Sequence, residues 1–139
     1  MPDSPALSQL AQAARAARSR AYAPYSKFHV GAAVLLDNGE SVMGANIENA
    51  SYGLTCCAER VAIFAATAAH PGARITALAV SAGDDAYQHA SDNERMPCGA
   101  CRQVMMEFMA PEAPVWIDGV GAMALSDLLP TPFKLRTDT

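Results

Sequence analysis

Two short cysteine-bearing segments constrain this chain more than any other feature of its sequence. The first is Cys57-Ala58-Glu59-Arg60 and the second is Pro97-Cys98-Gly99-Ala100-Cys101-Arg102-Gln103, and each opens an apolar run. Three thiols and a carboxylate suit a catalytic zinc site, because three protein ligands leave a fourth position for water and a nearby acid can move protons. The predicted zinc ligands are Cys57, Cys98 and Cys101, and the predicted proton-transfer group is Glu59.

The spacing within each segment predicts where the site lies. Cys98 and Cys101 are three residues apart, so one helical turn brings both sulfurs to one side. Cys57 and Glu59 are two apart and can converge only in the first turn of a helix, with the metal over the helix end. We therefore expect both cysteine segments at helix N-termini, where the backbone dipole favours thiolates.

The charge of such a site requires a compensating group. Zn²⁺ with three thiolates carries a net charge of about −1, which weakens the metal as a Lewis acid. Arg60 follows Glu59 directly and is the obvious donor of a hydrogen bond to a ligating sulfur. The hypothesis is that Arg60 withdraws negative charge from the cluster.

Composition limits the class of protein. The chain has 139 residues, of which 51% are hydrophobic and 17% charged, and this predicts one domain, 1–139, with a sizeable core. Its net charge is −4 and no basic patch is present, which argues against nucleic acid and favours a small, weakly charged substrate. The low charge and seven methionines indicate that some apolar surface contacts another subunit.

The sequence also gives expectations about location. No apolar stretch of about 18 residues occurs, so we expect no membrane span. The first residues do not resemble a secretory signal. Four clustered cysteines in a chain without an export signal indicate metal-binding or catalytic thiols in a reducing cytoplasm.

Hydrophobic periodicity and turn residues predict an α/β protein. Helices are expected from Ser4-Pro5 to a stop before Pro24, over 57–69, and along a stripe from Cys101 to Met109. Strands are expected over 30–36, 41–47, 75–80, 115–117 and 122–125. The segment 82–96 is predicted to be a solvated, mobile loop, and Ser126 to start a short turn ending at Pro130.

This order of elements predicts a sheet with helices on its faces. The last two strands are joined by only Asp118 to Gly121. Parallel neighbours require a crossover of about a dozen residues or more, so this pair is expected to be antiparallel.

Taken together, the motifs resemble a known family. The order Cys-x-Glu followed by Pro-Cys-x-x-Cys is the all-cysteine form of a zinc deaminase signature. From about Tyr25 to Phe133 the chain is similar to the small homotetrameric cytidine deaminases of nucleoside salvage. The matching segments are PYSKF at 24–28, VGAA at 30–33, NIENASYG at 46–53, CAER at 57–60, PCGACRQ at 97–103 and LLP at 128–130.

The resemblance implies a fold and a reaction. The fold would be a three-layer α/β/α arrangement around a mixed five-stranded sheet. The reaction would be zinc-dependent hydrolysis of cytidine and 2'-deoxycytidine to the uridines and ammonia, with one Zn²⁺ per subunit. Water attacks ring carbon C4, and Glu59 protonates N3 and then the departing amine.

The resemblance also implies individual roles in a homotetramer with sites at its subunit contacts. Asn46 and Glu48 would hold the ribose hydroxyls, and Phe28 and Ala58 would line the base pocket. Phe133 would close the site of a neighbouring subunit. Two features depart from the family pattern: Cys56 directly precedes a ligand cysteine, and the segment 83–96 is longer than expected. Cys56 is interpreted as a small core residue.

Two alternatives remain open at this level. The same zinc chemistry occurs in a related deaminase that acts on an aminonucleoside antibiotic, blasticidin S. A protein with structural zinc that only binds a partner is a different class, although such a site should be closed by four ligands. Cys98-x-x-Cys101 taken alone could also be a redox pair.

Overall fold

A mixed five-stranded sheet forms the centre of the molecule, for which the computed structural model describes residues 4–83 and 91–136. The strands are β1 (Val30–Leu36), β2 (Ser41–Ala45), β3 (Ile75–Ala82), β4 (Pro114–Ile117) and β5 (Gly121–Ala124). Their spatial order is β2-β1-β3-β4-β5. Only β3 and β4 run parallel, and the β4–β5 pair is antiparallel, which confirms the expectation from its short connection.

Five α-helices accompany the sheet in the described ranges. They are α1 (Pro5–Ala17), α2 (Ala58–Ala69), α3 (Asp92–Arg95), α4 (Gly99–Phe108) and α5 (Leu125–Leu128), and short 3₁₀ turns occur at Arg18–Arg20 and Tyr52–Leu54. None of the helices described is long and apolar enough to cross a membrane.

The sheet separates two apolar clusters, and this gives the three layers. On one face, α1 packs its buried side chains against Ala33, Ala79 and Trp116. On the other face, α2, α4 and α5 cover Val34, Leu78 and a larger core. Successive residues of β1, β3 and β4 alternate between the two clusters, as the pleat requires. The predicted three-layer α/β/α fold is therefore confirmed.

Two glycines allow the helices to lie close on the sheet. A Cβ on Gly31 would lie 2.0 Å from the carbonyl oxygen of Ala14 in α1. A Cβ on Gly44 would lie 2.4 Å from the amide nitrogen of Ala62 in α2. Both obstacles are backbone atoms, so only glycine permits these approaches.

Several predicted boundaries were wrong. The first helix ends at Ala17, before a 3₁₀ turn, and the segment after Ser126 belongs to a helix. β2 ends at Ala45, although Ile47 pairs with Tyr22 and with Cys56 through isolated bridges. The predicted loop 82–96 contains α3, closed by a capping box between Ser91 and Glu94. The part of that loop at 84–90 lies outside the described residues.

Candidate active site and metal centre

The predicted thiols meet at the N-termini of two helices. Cys57 is the residue that precedes α2, Cys98 precedes α4, and Cys101 lies in the first turn of α4. Both preceding residues are extended, so each helix starts at its cysteine segment as the spacing predicted. The first-turn amides of the two helices therefore point toward one cluster of sulfurs and favour negative charge there.

The sulfur geometry fits a tetrahedral metal ion. The three Sγ atoms lie within 4.8 Å of one another. The Sγ–Sγ distance is 3.9 Å between Cys57 and Cys98 and 3.4 Å between Cys98 and Cys101. Zinc–sulfur bonds of about 2.3 Å in a tetrahedron place the sulfurs about 3.8 Å apart. The three cysteines can therefore hold zinc with little rearrangement, and three ligands leave the fourth position open.

The protonation of Cys57 is linked to that of Cys101. The pKa of Cys57 is lowered to about 5, chiefly by its hydrogen bond with Cys101 and also by Arg60, against the effect of burial. The pKa of Cys101 is raised, chiefly by the same hydrogen bond and by burial. Without a cation, one thiolate makes the next harder to form. A divalent metal among the sulfurs removes this conflict, because it favours all three thiolates.

Arg60 contacts the sulfur cluster. Its Nη2 donates a hydrogen bond to Cys57 Sγ at 3.4 Å. The hydrogen bond with Cys57 is also the main reason that the pKa of Arg60 is raised, so the guanidinium stays charged. The contact is the one that the charge argument requires, because it draws negative charge from a candidate ligand.

Glu59 is buried beside the sulfurs. Only 4% of its surface is exposed. Burial raises the pKa of this carboxyl to about 7, and the charge of Cys57 adds to the effect. A carboxyl that titrates near neutral pH can both accept and release a proton under physiological conditions, which suits a proton shuttle.

A cleft of about 200 Å³ opens over the thiols and the carboxyl. Six of the predicted site residues line it: Phe28, Asn46, Cys57, Ala58, Glu59 and Cys98. Cys101 is buried behind its wall. Sequence analysis missed other lining residues, among them Thr55, Glu94, Arg95 and Met96.

Glu94 and Arg95 belong to α3, whose existence was not predicted. A sequence signal for this helix was present, since Ser91-x-x-Glu94 is a capping-box pattern. The arrangement of α3 against the cleft had no local signal, because it depends on contacts with distant parts of the chain.

Asn46 and Glu48 lie on the segment that crosses beside the cleft. This segment is extended and is held to Tyr22 by two backbone hydrogen bonds of 2.9 Å. Asn46 and Glu48 are buried, whereas Ile47 between them is 43% exposed. Alternation in extended backbone therefore directs both polar side chains to the same side.

Phe133, a predicted site residue, and Cys56, interpreted as a small core residue, both lie outside the sulfur cluster and the lining of the cleft. Phe133 is exposed and does not line the cleft; its carbonyl accepts a hydrogen bond from Gln103. Cys56 is half-buried, pairs with Ile47 through the backbone, and does not belong to the sulfur cluster. The pKa of Cys56 is raised, chiefly by burial.

Three convergent thiols and a buried carboxyl under one cleft are the arrangement that a catalytic zinc site with an open fourth position requires. A family model described as the cytidine and deoxycytidylate deaminase zinc-binding region matches residues 5–116. The chain is similar to a cytidine deaminase of Halalkalibacterium halodurans, with 46% identity over 124 residues, which is 84% of this chain and 86% of that protein.

The structural comparison agrees. A crystal structure of cytidine deaminase from Mycobacterium tuberculosis has a TM-score of 0.78 and 43% identity, and the match covers 93% of this chain and 98% of that one. A blasticidin-S deaminase from Bacillus cereus is more distant, at 30% identity over 111 residues, which cover 78% of this chain and 79% of that protein. The chain belongs to the cytidine deaminase family.

Proposed function

We propose that this chain hydrolyses cytidine and 2'-deoxycytidine to uridine and 2'-deoxyuridine, with release of ammonia. The observation that carries the proposal is the meeting of Cys57, Cys98 and Cys101 beside the buried Glu59 under one cleft. The family relationship supports cytidine rather than another amine-bearing ring as the substrate.

The three cysteines would hold Zn²⁺, which when bound supplies a strongly polarised water of lowered pKa. Glu59 accepts a proton from the attacking water and delivers it to ring nitrogen N3. The water oxygen forms a bond to C4 as the C4–N3 double bond opens and N3 takes up the first proton. Glu59 then takes the second proton from the hydroxyl now on C4 and passes it to the amine. The bond from C4 to the amine breaks as the C4 carbonyl forms, ammonia leaves, and the carboxylate is ready for the next cycle.

The cleft supplies the groups that hold the rest of the nucleoside. Phe28 and Ala58 contact the base, and Asn46 and Glu48 bind sugar hydroxyls. An amide and a carboxylate side by side suit a sugar, because the amide can donate to a hydroxyl oxygen and the carboxylate can accept from its hydrogen. Arg60 acts on the metal site through Cys57.

The remaining parts of the proposal concern the assembly. Residues 1–139 form one deaminase domain, which acts in the cytoplasm in pyrimidine salvage as a homotetramer with one zinc per subunit. Exposed apolar side chains support the subunit contacts: Tyr25, Tyr52, Leu54 and Phe64 are all about half exposed or more. Phe133 closes the cleft of a neighbouring subunit. This agrees with its position in the same chain, where it does not line the cleft.

The structural-zinc alternative has less support. In residues 4–83 and 91–136, the group of side chains able to hold a metal has three members. A closed structural site requires a fourth.

A substrate panel tests the proposal. Purified, zinc-loaded protein is incubated separately with cytidine, 2'-deoxycytidine, cytidine 5'-monophosphate and blasticidin S, and both ultraviolet absorbance and ammonia are followed. We expect the two nucleosides to lose the cytosine absorption band and release one ammonia per molecule, with little reaction of the other two. Turnover of blasticidin S alone, or tight zinc binding without any deamination, would overturn the proposal.

A further inference from the structure

The turn that precedes β1 makes an unusual set of contacts with Glu48. The amides of Tyr25 and Ser26 both donate to Glu48 Oε1, at 3.0 and 3.1 Å. The Ser26 hydroxyl donates to the other carboxylate oxygen, Oε2, in a short contact. These three hydrogen bonds hold the carboxylate across the turn. They lower the pKa of Glu48 against the effect of burial, and the Ser26 hydroxyl contributes most. The charge of the nearby His29 lowers this pKa to a smaller degree.

The direction of the Ser26 hydroxyl is fixed. Its oxygen accepts a hydrogen bond from the Phe28 amide at 3.0 Å. A serine hydroxyl has one hydrogen to donate, and here Glu48 Oε2 receives it. Ser26 thus connects the backbone of Phe28, which lines the cleft, to the carboxylate of Glu48.

The backbone of this turn is constrained as well. Lys27 has a φ of 60°, which is uncommon for a residue with a side chain. Its amide donates to the carbonyl of Ala23 at 3.1 Å. A backbone in this region persists only where its surroundings hold it, and the contacts of Glu48 and Ala23 provide that support.

Counting hydrogen bonds shows what the carboxylate can still accept. An ionised carboxylate has about four acceptor positions, two on each oxygen. Both positions on Oε1 are occupied by amides, and one position on Oε2 is occupied by Ser26. Within residues 4–83 and 91–136, no contact occupies the remaining acceptor position on Oε2.

Asn46 provides the complementary group. Its Oδ1 accepts from the Val30 amide at 2.9 Å, and its Nδ2 donates to the Phe28 carbonyl at 2.8 Å. These two bonds fix the orientation of the amide and, among the contacts of the described part of the chain, leave one N–H to donate. Asn46 and Glu48 together therefore offer one donor and one acceptor on the same side of their segment, which matches a single hydroxyl group.

We propose that Ser26 is a positioning residue for sugar recognition, whose hydroxyl holds Glu48 Oε2 so that it accepts from one substrate hydroxyl. The inference rests on the proposed function and extends it to a residue that does not itself contact the substrate. It implies that loss of the Ser26 hydroxyl weakens the binding of nucleosides that carry the recognised sugar hydroxyl. The binding of nucleosides that lack this sugar hydroxyl should be unaffected.

The test compares two ligands in four variants. The KM of cytidine and the inhibition constant of 2',3'-dideoxycytidine, used as a competitor, are measured for the wild type and for Ser26→Ala, Ser26→Cys and Ser26→Thr. Cysteine keeps the size of serine but is a weak donor, and threonine keeps the hydroxyl. Ser19→Ala is the matched control, because Ser19 is exposed and its hydroxyl donates within its own turn, to the Ala16 carbonyl.

We expect Ser26→Ala and Ser26→Cys to raise the KM of cytidine roughly tenfold, the size of one hydrogen bond to a charged group, with kcat changed less than about twofold. The inhibition constant of 2',3'-dideoxycytidine should stay within about twofold, and Ser26→Thr should restore most of the cytidine affinity. Because the comparison is between two ligands on one protein, partial loss of folded protein does not affect it.

Equal weakening of the binding of cytidine and of 2',3'-dideoxycytidine would overturn the role of Ser26. An unchanged cytidine KM in both the Ala and the Cys variant would overturn it as well. A Thr variant as weak as the Ala variant would overturn it also. Failure of the wild type to deaminate cytidine would instead contradict the proposed function, so the two failures are distinguishable.

Discussion

Arg60 and Glu59 are neighbours in the sequence and have different tasks because their environments differ. Glu59 is buried, and its pKa is raised to about 7, so it suits proton transfer. Arg60 remains charged and donates to Cys57 Sγ. At the scale of single residues, the site thus combines one carboxyl able to change its charge near neutral pH with one guanidinium that keeps its charge.

Removal of the Arg60 guanidinium should weaken the metal site. We expect Arg60→Ala to lower zinc affinity by roughly 10- to 100-fold, the usual range for partners of metal ligands, and Arg60→Lys to lie between it and the wild type. Competition with a zinc chelator of known affinity measures this. Arg20→Ala, at an exposed position in the 3₁₀ turn after α1, serves as the control. Unchanged zinc affinity in Arg60→Ala would show that the contact has no role in holding the metal.

The helices position the site because they lie close on the sheet. α2 carries Cys57 and Glu59 at its start, and the next turn of the same helix lies against Gly44 of β2. The close approach leaves no room for a side chain on this glycine. Changes at Gly44 should therefore affect both stability and the site.

Gly44→Ala should be strongly destabilising. The new Cβ would lie 2.4 Å from Ala62 N and 2.7 Å from Ala58 O, which are backbone atoms that cannot rotate away. We expect the free energy of unfolding to fall by about 2 kcal/mol or more, as in overpacked cores. Denaturant titration measures this, with Gly53→Ala as the control, since a Cβ on Gly53 meets nothing within 4 Å. Equal stability of the two variants would refute the close-packing argument.

On the face of the sheet opposite α2, an ion pair attaches α1 to the residue that follows β4. Arg15 donates two hydrogen bonds to Asp118, which follows β4, and Ser81 of β3 donates a third at 2.8 Å. The hydrogen bond with Arg15 is the main cause that lowers the pKa of Asp118. A carboxyl with a lowered pKa stabilises the fold above its unfolded pKa of about 3.9 and loses this contribution as pH falls through the folded value.

Asp118→Asn should therefore cost stability at neutral pH and much less in acid. We expect a loss of about 1 kcal/mol at pH 7, a modest value because the Arg15 side chain is 45% exposed. The difference in unfolding free energy from the wild type should narrow as pH falls below about 4, the unfolded pKa, toward the lowered folded value. Unfolding titrations at several pH values test this, with Asp37→Asn as the control. Loss of zinc in acid affects both proteins and cancels in the difference. A difference in unfolding free energy between Asp118→Asn and the wild type that does not change with pH would contradict the account.

Local sequence patterns predicted the strands, the longer helices and the meeting of the three thiols. The thiols could be located because Cys98 and Cys101 are one helical turn apart and because Cys57 opens an apolar run. The antiparallel pair β4–β5 could be predicted from the length of its connection. These features depend on residues close together in the chain.

Features that depend on distant residues could not be predicted. Pairing of β1 with β3 joins segments far apart in the sequence, and no local pattern specifies it. The contact between Ser26 and Glu48 spans 22 residues and had no sequence signal. The lining of the cleft by α3 depends on how that segment folds back over β3. The roles of Phe28, Asn46, Glu48, Ala58 and Phe133 in substrate binding stay predictions.

The whole molecule is an acidic three-layer domain whose cleft is open to its surroundings. The proposed tetramer covers exposed apolar side chains and brings Phe133 to a neighbouring cleft. In this arrangement one subunit supplies the zinc ligands and Glu59, and another supplies the aromatic ring. Each site then requires two chains.

Mixed oligomers test this sharing of residues. We expect the wild type to have about four times the 14.6 kDa mass of one chain in light scattering. Phe133→Ala should raise the KM of cytidine without loss of zinc. Co-expression of Phe133→Ala with Glu59→Gln should yield some sites with Glu59 from one chain and Phe133 from the other. These sites should deaminate cytidine with a KM close to that of the wild type. A monomer with full activity would contradict the proposal.

The central claim is that Glu59 moves the protons of a deamination at the cysteine site, and the most direct test is the kcat of Glu59→Gln on saturating cytidine. The matched control is Glu94→Gln, which changes another carboxyl of the same cleft while glutamine keeps the capping box of α3. We expect kcat of Glu59→Gln to fall by a factor of about 10²–10⁴ with zinc still bound, and Glu94→Gln to stay close to the wild type. A Glu59→Gln protein that retains zinc and turns over cytidine at the wild-type rate would contradict the account.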